Sequence, residues 1–193
     1  MLRLTRFILL ALGVSSLLLS FTAPAHPQGA RGPRGKRVAV KPATVAQVIT
    51  AEELPALLKR AGARPLLVNY WATWCDPCRE EFPDLVKIDK EYRTQGLDSI
   101  AISLDDLAEL KTGVPKFLRQ MKVKMPVYLL NAPDPELSIK MVDPKWSGAL
   151  PATFLYDAKG EIVFKHFGRF NTAELRAAVE KLVGSQQSAV GSK

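Results

Sequence analysis

Residues 65–78 read PLLVNYWATWCDPC, and this stretch decides the fold. Its first half is a short run of apolar, β-branched and aromatic residues, which predicts a buried central strand. Its second half carries the only two cysteines of the chain, Cys75 and Cys78, and leads into a charged segment that we predict to be helical from about Asp76 to Gln95. Open α/β sheets place their sites just beyond the carboxyl ends of central strands, where Cys75 is expected to lie.

The start of a helix favours the thiolate form of Cys75, which is the form in which a cysteine attacks a disulfide. A helix N-terminus offers unpaired N–H groups and about half a positive charge, and both stabilise an anion. Pro77 suits the first turn because its missing N–H had no partner there. Cys78 lies one turn further in, more shielded but close to Cys75. We therefore expect Cys75 to attack a substrate disulfide and Cys78 to resolve the mixed disulfide.

Other uses of the two cysteines fit the sequence less well. A structural bridge from Cys75 to Cys78 closes a loop too small to constrain the unfolded chain. A tetrahedral zinc site needs four ligands, and only His26 and His166 could complete it. His26 falls at the predicted cleavage point or in the linker that follows it, so we expect no metal site. The sequence contains no nicotinamide or flavin motif, and we expect no cofactor.

Residues 1–25 have the pattern of an export signal. Two arginines precede the apolar run 7–21, and Ala23-Pro24-Ala25 is a small-x-small cleavage site. The run of 15 residues is shorter than the roughly 20 that span a hydrocarbon core. Cleavage after Ala25 is therefore expected, with retention as a membrane anchor as the alternative. Either outcome places the protein in the periplasm or elsewhere outside the cytoplasm.

Residues 26–42 are predicted to be a flexible basic linker, because they contain Pro, Gly and five positive charges but no periodic apolar face. The net charge of +8 arises at this end of the chain. Residues 1–42 hold seven of the 27 Lys and Arg residues and none of the 19 Asp and Glu residues, which leaves 20 basic and 19 acidic residues. This near-neutral remainder argues against nucleic acid as a partner, although the basic linker suits weak contact with anionic lipids.

Residues 43–184 are predicted to form the folded domain, and 185–193 a disordered polar tail. Apolar periodicity, caps and turn residues predict its elements in this order: a helix from a capping box at Thr50–Glu53 to about Ala61, the strand 65–72, the helix 76–95, a strand over 99–104, a helix over 107–121 that Gly113 and Pro115 interrupt, a strand from Met125, a brief helix through Met141, a hairpin turning at 158–160, and a helix ending at Gly184. This order predicts an α/β fold with a mixed sheet between helices.

Two segments resemble the exported thioredoxin-like proteins of the TlpA/ResA type: LLVNYWATWCDPCREEFP at 66–83 and GALPATFLYDAKGEIV at 148–163. The resemblance covers about residues 43–184. It implies the thioredoxin fold with an N-terminal extension and a central insertion, and the reduction of disulfides outside the cytoplasm, sometimes those of apocytochrome c during cytochrome c maturation. The implied partners are a disulfide-containing substrate protein and a membrane thiol-transfer donor of the DsbD or CcdA kind.

The same resemblance assigns residues around the cysteine pair. Cys75 and Cys78 match the redox pair, and Pro151 matches a cis-proline that faces it. Proline offers no N–H, which leaves the backbone beside it free to pair with an extended substrate. Leu150 stands where Thr or Val is usual and makes this rim more apolar. The substrate-binding residues are then expected to be Trp74, Asp76, Pro77, Leu150 and Pro151, with a packing role as the alternative for Trp74.

Glu81 matches an acidic residue of the family pattern and lies three residues after Cys78, on the same helical face. We hypothesise that Glu81 exchanges protons with the Cys78 thiol, which requires a partly buried carboxyl with a raised pKa. An exposed carboxylate like that of Glu80 is the alternative. Cytoplasmic thioredoxins have a buried Asp where this chain has Asn69, and Asn cannot titrate.

Asp76 places a negative charge beside Cys75, which opposes its ionisation and favours a reductant over an oxidant. Arg79 acts in the opposite sense, but from an exposed and screened position. Two rival functions remain open at this point. A thiol peroxidase would need an Arg or Thr that activates peroxide, and a non-catalytic module would bind thiol partners or Cu(I) without turnover.

Overall fold

The computed structural model describes residues 45–59 and 64–191, with side chains up to residue 185. The predicted export signal and linker lie outside these residues. The described chain forms the following strands and helices: β1 Gln47–Thr50, α1 Leu54–Leu58, β2 Leu66–Trp71, α2 Asp76–Tyr92, β3 Asp98–Ser103, α3 Gly113–Gln120, β4 Val127–Asn131, α4 Pro135–Val142, β5 Ala152–Tyr156, β6 Ile162–Phe167 and α5 Thr172–Gly191. Over these ranges, none of the helices is both long and apolar enough to cross a membrane.

The strands form one mixed sheet in the order β1-β4-β3-β2-β5-β6. The first four are parallel, β5 pairs antiparallel with β2, and β6 pairs antiparallel with β5. This confirms the predicted α/β fold, including the central strand before the cysteines and the closing hairpin. Because β2 and β3 are parallel neighbours in the middle of the sheet, their carboxyl ends meet at one edge, and α2 begins there.

Every residue of β2 is buried, because helices and loops cover both faces of the sheet. Leu67 and Trp71 pack on the face that carries α2, whereas Val68 and Tyr70 pack on the opposite face. An apolar stripe at helical spacing runs along α2, and all four of its members are buried: Phe82, Leu85, Ile88 and Tyr92. At about 1.5–3 kcal/mol for each large apolar side chain removed from water, this stripe fixes α2 against β2.

The first helix begins later than the capping-box pattern predicts. Thr50 is the last residue of β1, where it pairs with Asn131, and α1 starts only at Leu54. One of the two hydrogen bonds of a capping box is present, because the Thr50 N–H donates to the Glu53 carboxylate at 2.9 Å. Strand pairing thus takes Thr50 out of the helix. The predicted end at about Ala61 lies outside the described residues.

The last helix is longer than predicted, and the expectation of a disordered tail is wrong for residues 185–191, which continue α5. Gly184 was expected to stop the helix. Its backbone does not adopt the left-handed conformation of a helix-ending glycine, and a Cβ placed there would meet no atom within 4 Å apart from its chain neighbours and the backbone of α5 itself. A glycine inside a helix costs only about 1 kcal/mol relative to alanine, and no proline follows to break the chain.

We expect Gly184→Ala to raise the free energy of unfolding by up to about 1 kcal/mol, because alanine is the better helix former and has room at this position. Urea unfolding of the disulfide form measures the change. Gly168→Ala is the matched control: it also has nothing within 4 Å, but its φ is +88°. Alanine there should lower stability by about 1 kcal/mol. A destabilised Gly184→Ala variant would show that α5 ends at Gly184.

Candidate active site around the cysteine pair

Cys75 and Cys78 form a disulfide at the N-terminus of α2. Cys75 is the N-cap residue, and its sulfur accepts a hydrogen bond from the Cys78 backbone N–H at 3.3 Å. Cys75 is 5% exposed and Cys78 is 0% exposed. Cys75 is thus the more accessible of the two residues, as the spacing predicts, and the attacking and resolving roles stay a prediction. The intervening Asp76 and Pro77 are both exposed in the first turn.

A buried carboxylate holds the loop that precedes the cysteines. Asp105, just after β3, accepts hydrogen bonds from the Thr73 N–H at 3.0 Å and from the Thr73 hydroxyl at 2.6 Å. It also accepts one from the Ser103 hydroxyl at 2.6 Å. The ends of β2 and β3 are thus joined beside Cys75. The neighbouring Asp106 instead caps the short helical turn that follows, because its carboxylate accepts from the Ala108 N–H at 2.9 Å.

Aromatic rings form the floor beneath the first turn of α2. Trp71 stacks on Phe117 with ring centroids 4.4 Å apart and meets Phe82 edge-on at 5.1 Å. Trp71 is fully buried, as the predicted buried strand implies. The Arg79 guanidinium lies 5.5 Å above the Phe117 ring and donates to the Thr73 carbonyl at 3.4 Å. Trp74, by contrast, is 68% exposed, so its ring is accessible next to the disulfide.

The second predicted side of the site is the loop that enters β5. The peptide bond between Leu150 and Pro151 is cis, as the resemblance implies. Leu150 is half-buried against the apolar cluster that contains both cysteines. Trp146 anchors this loop from below: it is buried on Tyr70 with ring centroids 4.6 Å apart, and its indole N–H donates to the Ala149 carbonyl at 2.9 Å. Contact with a substrate remains a prediction for this loop and for Trp74, Asp76 and Pro77.

Glu81 is buried in α2, unlike its exposed neighbour Glu80. Its carboxylate accepts hydrogen bonds from the Asn69 side-chain amide at 2.8 Å and from the Phe170 backbone N–H at 3.1 Å. Burial raises the pKa of Glu81 to about 7, against the opposing effect of these hydrogen bonds and of the nearby Arg169 charge. The hypothesis of an exposed carboxylate is therefore wrong. The proton-exchange role requires this environment and stays a prediction.

Thr153 is a member of this site that sequence reasoning missed. It lies opposite Asn69 in the β2–β5 pairing, and its hydroxyl accepts from the Asn69 amide at 3.0 Å. Both side chains are fully buried. Within 45–59 and 64–191, no group of three or more His, Cys, Asp and Glu side chains is placed to hold a metal ion.

Comparison with known proteins relates this chain to thiol redox proteins. A family model described as AhpC/TSA matches residues 42–165. The thiol-disulfide oxidoreductase ResA of Bacillus cereus is 29% identical over 125 residues, which are 65% of this chain and 67% of ResA. The thioredoxin-like protein YneN of Bacillus subtilis is 30% identical over 129 residues, covering 64% of this chain and 68% of YneN.

A solved structure agrees with the fold. The thioredoxin-related protein of Neisseria meningitidis serogroup B is 31% identical to this chain and superimposes with a TM-score of 0.55. The match covers 66% of this chain and 90% of that protein. The predicted thioredoxin fold and the resemblance to ResA-like proteins are thus confirmed.

The buried Glu81 carboxyl predicts that stability falls as the pH rises. The folded protein keeps this proton up to about pH 7, whereas an ordinary Glu loses it near 4.5. The contribution of Glu81 is therefore complete below pH 4.5 and is lost as the pH rises through 7, by up to about 3 kcal/mol in total. Urea unfolding of the disulfide form at pH 4.5 and pH 8 measures this loss.

Glu81→Gln should remove most of this fall in the free energy of unfolding between pH 4.5 and pH 8, because glutamine does not titrate. Glu80→Gln is the matched control, since Glu80 is exposed in an ion pair with Arg169, and it should lose as much stability as the wild type. If the free energy of unfolding falls by the same amount in Glu81→Gln and in the wild type between pH 4.5 and pH 8, Glu81 does not titrate in this range.

Proposed function

We propose that this chain, which belongs to the AhpC/TSA family and is a thiol-disulfide oxidoreductase, works outside the cytoplasm as a reductase of protein disulfides. The observation that carries the proposal is the pair Cys75 and Cys78, bonded to each other at the start of α2, with Cys75 slightly accessible and Cys78 fully buried. Such a pair can pass two electrons to a substrate without a cofactor.

The reaction begins with the reduced pair. The Cys75 thiolate attacks one sulfur of a substrate disulfide, so that a mixed disulfide forms and one substrate thiolate leaves. Cys78 then gives up its proton, and its thiolate attacks the Cys75 sulfur. The second substrate thiolate leaves, and the Cys75–Cys78 disulfide remains. The substrate gains two electrons and the protein loses two, and a reduced dithiol donor must restore the pair.

Glu81 is proposed to accept the proton that Cys78 releases. It lies one helical turn after Cys78 on the same side of α2, and it is shielded from water. A general base works best when its pKa lies near the operating pH, and burial brings the pKa of Glu81 to about 7. An ordinary exposed glutamate would be a much weaker base toward a thiol.

Two features support reduction over oxidation. Asp76 lies exposed in the first turn, beside Cys75, where its negative charge opposes a stable thiolate. Arg79 carries the opposite charge, but it is exposed and therefore screened by solvent and salt. We expect a reduction potential near that of thioredoxin, about −270 mV, and a value near about −120 mV would instead indicate an oxidant.

The place of action and the donor are proposed from the chain start and from the family resemblance. An export signal at residues 1–25 would deliver the protein across the cytoplasmic membrane. Electrons must then come from a membrane thiol-transfer protein of the DsbD or CcdA kind. Apocytochrome c is one candidate among the substrates, and general reduction of exported proteins is the other.

A thiol peroxidase is the rival within the family. Such an enzyme would need an Arg or Thr side chain aimed at the attacking sulfur. The two candidates nearest in sequence are engaged elsewhere: the Thr73 hydroxyl donates to Asp105, and Arg79 lies over Phe117. Consumption of peroxide with a thiol donor, without reduction of insulin disulfides, would favour the peroxidase. Stoichiometric capture of Cu(I) without turnover would favour a binding module.

Cys78→Ser should trap a substrate on the protein, because Cys75 still attacks but no second thiol releases the mixed disulfide. Non-reducing gels of periplasmic extracts, followed by mass spectrometry, would identify the captured proteins and the donor. Cys75→Ser is the matched control and should capture far less, since Cys78 is buried. Both variants should lose insulin reduction almost completely. Equal capture by the two variants would contradict the assigned roles.

Glu81→Gln should change how the reactivity of the thiols depends on pH. In the wild type, alkylation of the reduced protein should report the Glu81 ionisation near neutral pH, since a carboxylate charge close to Cys78 disfavours the thiolate. The variant should lose that inflection and slow the release of the mixed disulfide by roughly 100-fold or more. Rates of iodoacetamide reaction across pH 5 to 10 test this, with Glu80→Gln as control. An unchanged profile would exclude proton exchange through Glu81.

A further inference from the structure

The side-chain oxygen of Asn69 is buried without a hydrogen-bond partner among the described residues. Asn69 is 0% exposed and uses only its nitrogen, which donates to Glu81 at 2.8 Å and to Thr153 at 3.0 Å. Buried polar atoms are nearly always paired, so an unpaired carbonyl oxygen in a fully buried amide requires an explanation.

The hydrogen bonds of Glu81 suit one of its two protonation states only. Both partners that the described chain provides, the Asn69 amide nitrogen and the Phe170 N–H, are donors. They stabilise a carboxylate, but a neutral carboxyl has to donate its own proton to an acceptor. Burial favours the neutral form, and the pKa of about 7 means that both forms are populated near neutral pH. The neutral form therefore lacks an acceptor in this arrangement.

We propose that Asn69 is a positioning residue whose side-chain amide turns over when Glu81 gains or loses its proton. Rotation by 180° about the Cβ–Cγ bond exchanges the nitrogen and the unpaired oxygen, which have nearly the same shape. The oxygen then accepts the Glu81 O–H. The inference rests on the proposed function, in which Glu81 exchanges a proton with Cys78.

Thr153 completes this arrangement because a hydroxyl both donates and accepts. It accepts from the Asn69 nitrogen while Glu81 is ionised, and it donates to the Asn69 oxygen after the amide turns. Asn69 keeps two hydrogen bonds in either orientation, to Glu81 and Thr153. The atom on the other side of the amide, the oxygen before the turn and the nitrogen after it, has no partner among the described residues, so the bond to the Glu81 O–H must outweigh this cost. Aspartate at this position would add a second negative charge beside Glu81, and an apolar residue would bond with neither form.

The other charged groups near Glu81 cannot take over this role. Arg169, before α5, is a cation in both states and lowers the pKa of Glu81, and Asp84, on α2, is an anion that raises it. Cys75 and Cys78 are bonded to each other in the oxidised protein and offer no thiol proton. Asn69 is the partner whose donor and acceptor can exchange places by rotation alone.

NMR of the oxidised protein tests the turn directly. At pH 9 the Asn69 side-chain amide protons lie next to Thr153 and should show strong NOEs to it. At pH 5 the oxygen faces Thr153, and these NOEs should fall at least severalfold, with a midpoint that follows the Glu81 carboxyl ¹³C shift. In the Glu81→Gln control the NOEs should not depend on pH. NOEs that stay equally strong at pH 5 and pH 9 in the wild type would overturn the proposal.

Thr153→Val and Thr153→Ser provide a second measurement. Without the hydroxyl, the ionised state leaves an amide N–H unpaired, whereas in the neutral state the Asn69 oxygen still accepts from Glu81. An unpaired N–H is the more costly defect, so the Glu81 midpoint should rise by roughly half a pH unit or more in Thr153→Val. Thr153→Ser keeps a hydroxyl and should leave it unchanged. If the Asn69 amide did not turn, Thr153→Val would remove the same acceptor from its nitrogen in both protonation states of Glu81, and the midpoint would not move. An unchanged Glu81 midpoint in Thr153→Val therefore contradicts the turn.

Neither measurement depends on turnover. A protein that reduces insulin while the Asn69 amide stays fixed would retain the proposed function and lose this inference. A protein in which the Asn69 amide turns but no disulfide is reduced would retain this inference about Asn69 and lose the proposed function.

Discussion

The hydrogen bonds from Thr73 to the buried Asp105 carboxylate join the carboxyl ends of β2 and β3, and the position of both sulfurs depends on this junction. Thr73 is two residues before Cys75, so its fixed N–H and hydroxyl set where α2 begins. The same strand ends are also joined through the backbone, where the Leu104 N–H donates to the Trp71 carbonyl at 2.8 Å. The disulfide therefore lies on a rigid edge of the sheet.

Two buried carboxylates serve this site in different ways. Asp105 accepts from Thr73 and Ser103, and all of these donors belong to neighbouring strand ends, so it works as a structural anchor. Glu81 has fewer donors and lies between α2 and the sheet, where burial outweighs its hydrogen bonds and the pKa rises to about 7. Asp105 thus accepts from three groups near the strand ends, whereas Glu81 accepts from two and burial raises its pKa.

Much of this arrangement could be predicted from the sequence because it depends on local pattern. The apolar run before the cysteines and the helical spacing in α2 each identify an element without any tertiary information. The roles of Asp105 and Thr153 could not be predicted, since each depends on a residue of another strand, 32 and 84 positions away from its partner. The edge strand β1 was missed because four residues with one buried side chain carry no clear alternation.

Leu150 connects the fold to the chemistry of the rim. It packs against both apolar clusters, the one that contains the cysteines and the one on the opposite face that contains Trp146 and Tyr70. A side chain that is needed by two clusters is less free to vary than an exposed one, since its loss would leave space on both sides. The apolar character that Leu150 gives to the rim therefore follows partly from packing. Trp74 and Asp76 are exposed and the fold does not require them, so we propose that discrimination among substrates falls more to these two side chains.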